Sequence, residues 1–470
     1  MPFAAAATPL DVSYLSLSPG SDATQLNFSW HTSAMDNPVV RIWKQDGVAI
    51  EFTGTCSALP SAFSTMYYNR VTVTGLETNT AYTYQLGDGN GDWSVEYTTE
   101  TANTDSFSYL VFGDPQVSAQ TYGNSWENTL ELALEVNPNL AFMASTGDNI
   151  NDKSPASLAN MQYTYFFTPQ QIFSSLPLAT CMGNHEGSTT ANFDYFNPPN
   201  ADSAQNYWYR YGDALFMVWN VNYGTPADME TFLQNAIDAN PDATWRVLTF
   251  HFDVYGQGNH GLTDGKTYRD NYVPVIDEFG IDVVFNGHDH SYSRSYPMKY
   301  SGSSATSSST GMQPETFNEN GASVDPTGTV YFALNSASGQ KYYDLVAQQA
   351  YTAVMHQEYR PMFSIVDMTV NTFTCTTYQV NADNSLTVID TYSIEKTISA
   401  TPSAFVTKLH GNENDLTITV TQTLADGSIR PITETFTIHN NAAGTYTVGS
   451  SYKVYVDTKG NTQIRDCRIV

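Results

Sequence analysis

The sequence predicts a multidomain chain: an N-terminal β-sandwich, a central α/β domain and a small all-β C-terminal domain. Three observations predict it. First, 470 residues are too many for one core. Second, near residue 105 the hydrophobic rhythm changes from period two to strand–helix alternation. Third, the charge balance changes along the chain: 3 basic against 10 acidic residues in 1–104 (−7), 10 against 31 in 105–398 (−21), and 6 against 6 in 399–470 (zero). The domains are accordingly drawn at 1–104, 105–398 and 399–470.

In the first segment, Gln25–Trp30 and Val71–Leu76 alternate polar and apolar side chains, and Tyr82-Thr83-Tyr84 continues that pattern. Val39–Trp43 is a β-branched and aromatic run, and Gly87-Asp88-Gly89-Asn90-Gly91 is a turn. Polar Thr98–Thr104 reads as a linker. Beyond it, strands are expected at Phe107–Phe112, Leu140–Ala144, Leu176–Met182, Trp245–Phe250, Ile281–Phe285 and Thr329–Leu334. Helices are expected at Ser125–Val136, Ala227–Ala239 and Asp270–Phe279. Such alternation argues for an α/β sheet domain. Ser301–Ser309 is a low-complexity surface loop, and strands resume through Tyr359–Val380 and Ser385–Ile394. The last segment, with alternating runs Leu416–Gln422 and Tyr452–Asp457, reads as β.

A net charge of −28 and a pI near 4.4 repel nucleic acid and anionic membranes. Phosphate esters are repelled too, unless bound cations supply local positive charge. The longest apolar runs, such as Leu140–Ala144, are too short to span a bilayer. The N-terminus lacks a basic region and an apolar core, so it is not an intact signal peptide. It is read as a mature secreted or cell-surface chain, with a cytoplasmic origin as the alternative. Cys56, Cys181, Cys375 and Cys467 are scattered without a CxxC pattern, which argues against a zinc–thiolate site.

Every chemical motif of the central segment falls just after a strand: Gly113-Asp114, Gly147-Asp148-Asn149, Gly183-Asn184-His185-Glu186, His251 and Gly287-His288-Asp289-His290. Open α/β sheets place their sites at such strand ends. A lone Gly-Asp is only a turn signal; five groups in order are a constellation. Asp, Asn and His are the donors of a two-metal hydrolytic site. Two cations about 3.5–4 Å apart need a bridging carboxylate between them. Neutral His and Asn fill the remaining positions without excess negative charge. Glycines let the backbone turn sharply beside the ligands.

This ordered set resembles the calcineurin-like metallophosphoesterase superfamily, and its purple acid phosphatase branch most closely. Gly287-His288-Asp289-His290-Ser291-Tyr292-Ser293-Arg294 matches that branch's Gly-His-x-His-x-Tyr-x-Arg signature. Leu76–Tyr84 resembles a loop and strand of fibronectin III-like domains, which are typical of the branch. The resemblance covers roughly residues 8 to 398. It implies a four-layer αββα domain holding two metal ions (Fe, Zn or Mn). It implies that Asp148 bridges, that Asp114 and His290 bind the first metal, and that Asn184, His251 and His288 bind the second. It implies that His185, helped by His260, protonates the leaving group. The implied activity is hydrolysis of phosphate monoesters by direct attack of a metal-bound hydroxide.

Two positions depart from the branch. Asn151 stands where a tyrosinate is expected, so the protein is not expected to be purple. Gln116 stands where the branch has Gly and more distant relatives have His. Gln116 and Asn151 are therefore candidate ligands of the first metal. Arg294 is read as bracing its loop through Asp289 or a backbone carbonyl, with a phosphate contact as the alternative. Glu186 is read as an acceptor orienting His185, or an exposed acid. His31, His356, His410 and His439 are read as surface or satisfied-core residues. Tyr163, Tyr165, Tyr207 and Tyr209 read more simply as packing than as a cleft lining. The competing functions are a phosphodiesterase or nucleotidase of the same superfamily, and a binding protein with a degenerate metal site. No nucleic-acid partner is expected.

Overall fold

The computed structural model describes residues 9–34, 37–59, 66–186, 194–300 and 311–397, and the backbone of strands between 402 and 465. The chain divides into compact units at 1–395 and 396–470.

The larger unit begins with two four-stranded sheets. One orders Ser13–Pro19, Leu26–Thr32, Tyr67–Val73 and Thr55–Ala58; the other orders Ile50–Thr53, Val39–Lys44, Thr80–Gly87 and Tyr97–Thr101. Their inward side chains, including Leu17, Phe28, Trp30, Val40, Val71 and Tyr84, form one core. The expected linker at Thr98–Thr104 is corrected here. Tyr97–Thr101 is a strand, with Tyr97 opposite Tyr84 and Thr101 opposite Thr80. Threonine is β-branched and suits a strand despite its polarity; Thr99 and Thr101 are buried.

The central domain is two seven-stranded sheets packed face to face between helices. The first orders Leu178–Ala179, Leu140–Ser145, Ser106–Phe112, Met362–Thr369, Thr372–Val380, Leu386–Glu395 and Ser323–Val324. The second orders Tyr207–Tyr211, Ala214–Val218, Trp245–Thr249, Val283–Asn286, Val330–Ala333, Tyr292–Ser295 and Thr352–His356. Val111, Phe142, Phe216, Val247, Phe285, Phe332 and Phe373 fill the space between the sheets. Helices Gln120–Val136 and Ala156–Phe166 cover the first sheet; Pro226–Ala239 and Asp264–Glu278 cover the second. This is the αββα arrangement. Tyr163, Tyr207 and Tyr209 are buried packing residues.

Three element boundaries differ from expectation. Of Leu176–Met182, only Leu178 and Ala179 pair, at the sheet edge. Helix Ala156–Phe166 carries little amphipathic signal in its Ala-Ser-Leu-Ala-Asn start. The helix expected from Asp270 begins at Asp264, its first turn being polar Asp264-Gly265-Lys266-Thr267. The smaller unit holds two three-stranded sheets: Pro402–Phe405, Glu413–Thr423 and Ile429–His439, and Gly444–Val448, Tyr452–Val456 and Thr462–Arg465. The expected strands at 416–422 and 452–457 fall on two of these. The expected loop at 301–309, His410 and Cys467 lie outside the described residues.

Candidate metal centre

Parallel strands of both sheets deliver the motif residues at their carboxyl ends. Asp114 follows Ser106–Phe112, Asp148 follows Leu140–Ser145, and Asn184 lies beyond Leu178–Ala179. From the second sheet, His251 follows Trp245–Thr249, and His288 and His290 follow Val283–Asn286. Asp114, Gln116, Asp148, His288 and His290 all have positive φ, between 42° and 71°. Left-handed backbone in non-glycine residues costs on the order of 1 kcal/mol each, and such residues gather at functional sites. A methyl on Gly287 would sit 2.3 Å from Oδ2 of Asp114, so that position must stay bare for the carboxylate to fit.

The donors converge. One atom from each of Asp148, His251 and His288 lies within 4.8 Å of the others, and the same holds for Asp114, Asp148 and His290. Asp148 belongs to both groups. His251 Nε2 lies 3.1 Å from Oδ2 of Asp148 and 3.1 Å from Oδ1 of Asn184. His290 Nε2 lies 3.4 Å from Oδ1 of Asp114. The other ring nitrogens are committed outward. His251 Nδ1 donates to the Thr146 carbonyl at 3.0 Å, and His290 Nδ1 donates to the Lys341 carbonyl at 2.9 Å. His288 Nε2 donates to Oδ2 of Asp264 at 3.0 Å. His251 and His290 thus each have one nitrogen fixed and one turned to the cluster, the outer-partner pattern of metal-binding histidines.

Electrostatics follow from burying several charged groups together. Burial works against charge on His251, but the Asp148 carboxylate carries it up to about 9. Asp148 is itself desolvated, yet His251 and His185 hold it well below the usual carboxylate range. Burial and the Asp148 charge push Glu186 up to about 7. Despite desolvation, hydrogen bonds from His288 and His260 hold the Asp264 carboxyl well below its ordinary range. A cation bound by His251 must displace its proton. Gln116 fits the same picture: it is fully buried and neither amide atom has a hydrogen-bond partner. Leaving such a group unpaired costs about 1–3 kcal/mol, which a neighbouring cation would remove.

The two proton-donor candidates sit beside these groups. The His185 backbone N–H donates to Oδ1 of Asp148 at 2.8 Å. Its Nδ1 donates to the Asn151 carbonyl, and its Nε2 lies 3.9 Å from Oδ2 of Asp148. His260 stacks against His288 with ring centroids 4.0 Å apart.

Three site readings change. The Asn151 side-chain amide donates to Oδ2 of Asp152 at 2.8 Å, so its nitrogen is turned to that carboxylate and not to the cluster. Arg294 does not face the site: its guanidinium reaches Asp390 at 2.7 and 3.3 Å and lies over the Tyr392 ring. Glu186 neither orients His185 nor is exposed. It is buried and accepts from the backbone N–H groups of Gly183 at 2.7 Å and Asp148 at 3.0 Å, tying two ligand loops together. His31 is buried and bonds to the Asp194 carbonyl, and His356 pairs with Gln379.

Sequence reasoning missed Asp264 and the role of Asp289. Asp289 accepts from the backbone N–H groups of Gly258, His260 and Gly261 at 2.6, 3.0 and 3.3 Å. Spacing offered one signal: Asp264 lies four residues after His260.

Residues 107–292 match the family model described as calcineurin-like phosphoesterase, and residues 12–101 match that described as purple acid phosphatase, N-terminal domain. These matches make the chain purple acid phosphatase-like, with a calcineurin-like phosphoesterase domain at residues 107–292. The chain is 24% identical over 257 residues to a purple acid phosphatase of Glycine max, across 50% of this chain and 54% of the relative. It is 23% identical over 257 residues to Fe(3+)-Zn(2+) purple acid phosphatase 12 of Arabidopsis thaliana, across 50% of this chain and 53% of that one. The chain thus spans about half the length of these relatives. The solved purple acid phosphatase PPD1 from yellow lupin (Lupinus luteus) seeds superposes with a TM-score of 0.64 at 15% identity. That superposition covers 82% of this chain and 75% of the lupin chain and shows the shared fold.

Proposed function

We propose that the chain is a binuclear-metal phosphatase acting on phosphate monoesters. One observation carries the reading: of three groups of convergent donors, the two most buried, Asp148–His251–His288 and Asp114–Asp148–His290, share Asp148. Asp114, Asp148 and His290, with Gln116, would hold one cation; Asp148, Asn184, His251 and His288 would hold the other. When bound, the pair supplies charge to polarise phosphorus and to lower the pKa of a water nucleophile. Imidazole, amide and carboxylate donors, with no phenolate among them, suit divalent ions such as zinc or manganese as well as iron.

The chain's own residues then bind, orient and move protons. The Asn151 carbonyl fixes the Nδ1 proton of His185, which leaves Nε2 beside Asp148 to deliver a proton to the departing oxygen. Glu186 holds the backbone of Asp148 and Gly183 so that the bridging carboxylate keeps its place. Asp289 holds the backbone under His260. The reading takes the N-terminal sandwich as fibronectin III-like, residues 399–470 as a separate domain, and the enzyme as secreted or displayed at the cell surface; fractionating the native source tests that location.

The test is turnover after loading with zinc, manganese or iron, on an aryl phosphate monoester and the matching diester, together with elemental analysis. We expect two metals per chain and preference for the monoester. A clear diester preference overturns the substrate class. Fewer than one metal per chain, with no turnover, favours a binding protein.

A further inference from the structure

We propose that Asp264 is the positioning residue for the proton donor His260, and that it couples this donor to the metal-holding His288. The proposal rests on the phosphatase reading above. Its basis is a single carboxylate with two histidine partners. Oδ1 and Oδ2 of Asp264 lie 3.0 and 3.2 Å from Nδ1 of His260, and Oδ2 also accepts from Nε2 of His288 at 3.0 Å. Thr263 Oγ1 adds a donor to Oδ1 at 3.0 Å.

The consequence follows from imidazole chemistry. With its Nδ1–H held by Asp264, His260 keeps Nε2 for the substrate, and the carboxylate steadies the ring when both nitrogens are protonated. With its Nε2–H held by the same group, the His288 ring is fixed beside Asp148 and His251. One side chain thus sets the tautomer of a donor and of a ligand together. Asp289 fixes the backbone of the donor segment through three N–H groups, and Asp264 fixes the ring. Asp264 opens the helix Asp264–Glu278, where a negative charge is favoured. Its side chain is 38% exposed, so its role is not to fill a core.

The experiment compares wild type with Asp264→Asn, Asp264→Glu and His260→Ala, all metal-loaded. An aryl phosphate with a good leaving group needs little help from an acid, whereas an alkyl phosphate needs it fully. We expect Asp264→Asn to lose ~10-fold or more in kcat on the alkyl phosphate, within the usual worth of a positioned acid. The loss on the aryl phosphate should be much smaller, with KM little changed and two metals retained. Asp264→Glu should recover part of the loss. In the His260→Ala background, Asp264→Asn should add only the small loss, equal on both substrates, that comes through His288, as expected when most of its effect on the alkyl substrate runs through His260.

Equal losses on both substrates, accompanied by lost metal, would show that Asp264 serves His288 alone and would overturn the proposal. Unchanged kinetics would overturn it as well. A readout free of turnover is the imidazole nitrogen shifts of the histidine-labelled chain: the His260 and His288 rings should both change in Asp264→Asn. Silent rings overturn the proposal whatever the activity. Responsive rings in a chain whose wild type hydrolyses no phosphate ester would instead sink the phosphatase reading, and the donor role with it.

Discussion

Gly183→Ala is the sharpest test of the site's construction. A methyl there would sit 2.0 Å from Oδ1, 2.7 Å from Cγ and 2.5 Å from the backbone nitrogen of Asp148. Ordinary contact needs about 3.4 Å, so the carboxylate or the Gly183 backbone must move by more than about 1 Å. Neither has slack. Asp148 is buried, its Oδ1 takes the His185 N–H at 2.8 Å, and Glu186 ties the backbones of Asp148 and Gly183 at 3.0 and 2.7 Å. Overpacking of this kind destabilises by about 1–3 kcal/mol. Metal–ligand distances tolerate only ~0.2 Å, and a 1 Å misplacement costs ~10²-fold in rate. We therefore expect a chain that folds with a lowered urea midpoint, binds fewer than two metals and loses ~10²-fold or more in turnover. Gly321→Ala is the control: its φ is +80°, but an added methyl meets nothing within 4 Å. It should cost about 1 kcal/mol of backbone strain and leave metal and turnover intact. A Gly183→Ala protein with two metals per chain and full turnover would refute the placement of Asp148 against this loop.

Three further outcomes are expected. Asp148→Asn should lose metal and activity together, because no other side chain is shared by the two donor groups; elemental analysis showing full loading would reverse the assignment. His185→Ala should keep both metals while turnover falls ~10²-fold, the usual worth of a positioned acid, as measured by steady-state kinetics and metal content. Burial pulls His31 down to about 4 from its ordinary 6.5, so the folded chain holds it neutral. Its contribution is present above pH 6.5 and is lost as pH falls towards 4, by about 3 kcal/mol in all. Denaturation at pH 7 and pH 4.5 should show wild type losing more stability than His31→Phe, and parallel losses would rule the mechanism out.

The convergent donors were legible because each lies within a few residues of a strand's end. Short-range periodicity locates the strand, and the strand locates the donor. What was not legible depends on pairs distant in sequence. Arg294 meets Asp390 across 96 residues, and nothing around either position announces the other. Glu186 adjoins His185 in sequence, but folding turns it inward to the Asp148 loop, 38 residues away. Asp264 was missed for a local reason. Its helix begins with a polar turn and carries Pro274, so apolar spacing appears only later, and the residue was left in a loop. Thr98–Thr104 was misread because threonine's polarity outweighed its β-branched shape.

The buried acids and the strained backbone point to one economy. Asp114 and Asp148 lie essentially out of water in a chain whose net charge is already −28. Buried carboxylates without positive partners are costly, and the described residues near them offer histidines in place of lysine or arginine pairs. Five left-handed residues add about 5 kcal/mol of strain at the same place. That sum matches the lower end of a domain's whole stability. Glycine takes such a conformation without strain, as at Gly147, where φ is +101°. A ligand that binds the folded chain alone stabilises it in proportion to its affinity, and a cation held by the carboxylates and imidazoles at the strained positions would offset their cost in this way. On the proposed reading, cation binding and folding are coupled in this domain, and Asp114 and Asp148, which make the metal-free centre expensive, are the carboxylates that would hold the cations.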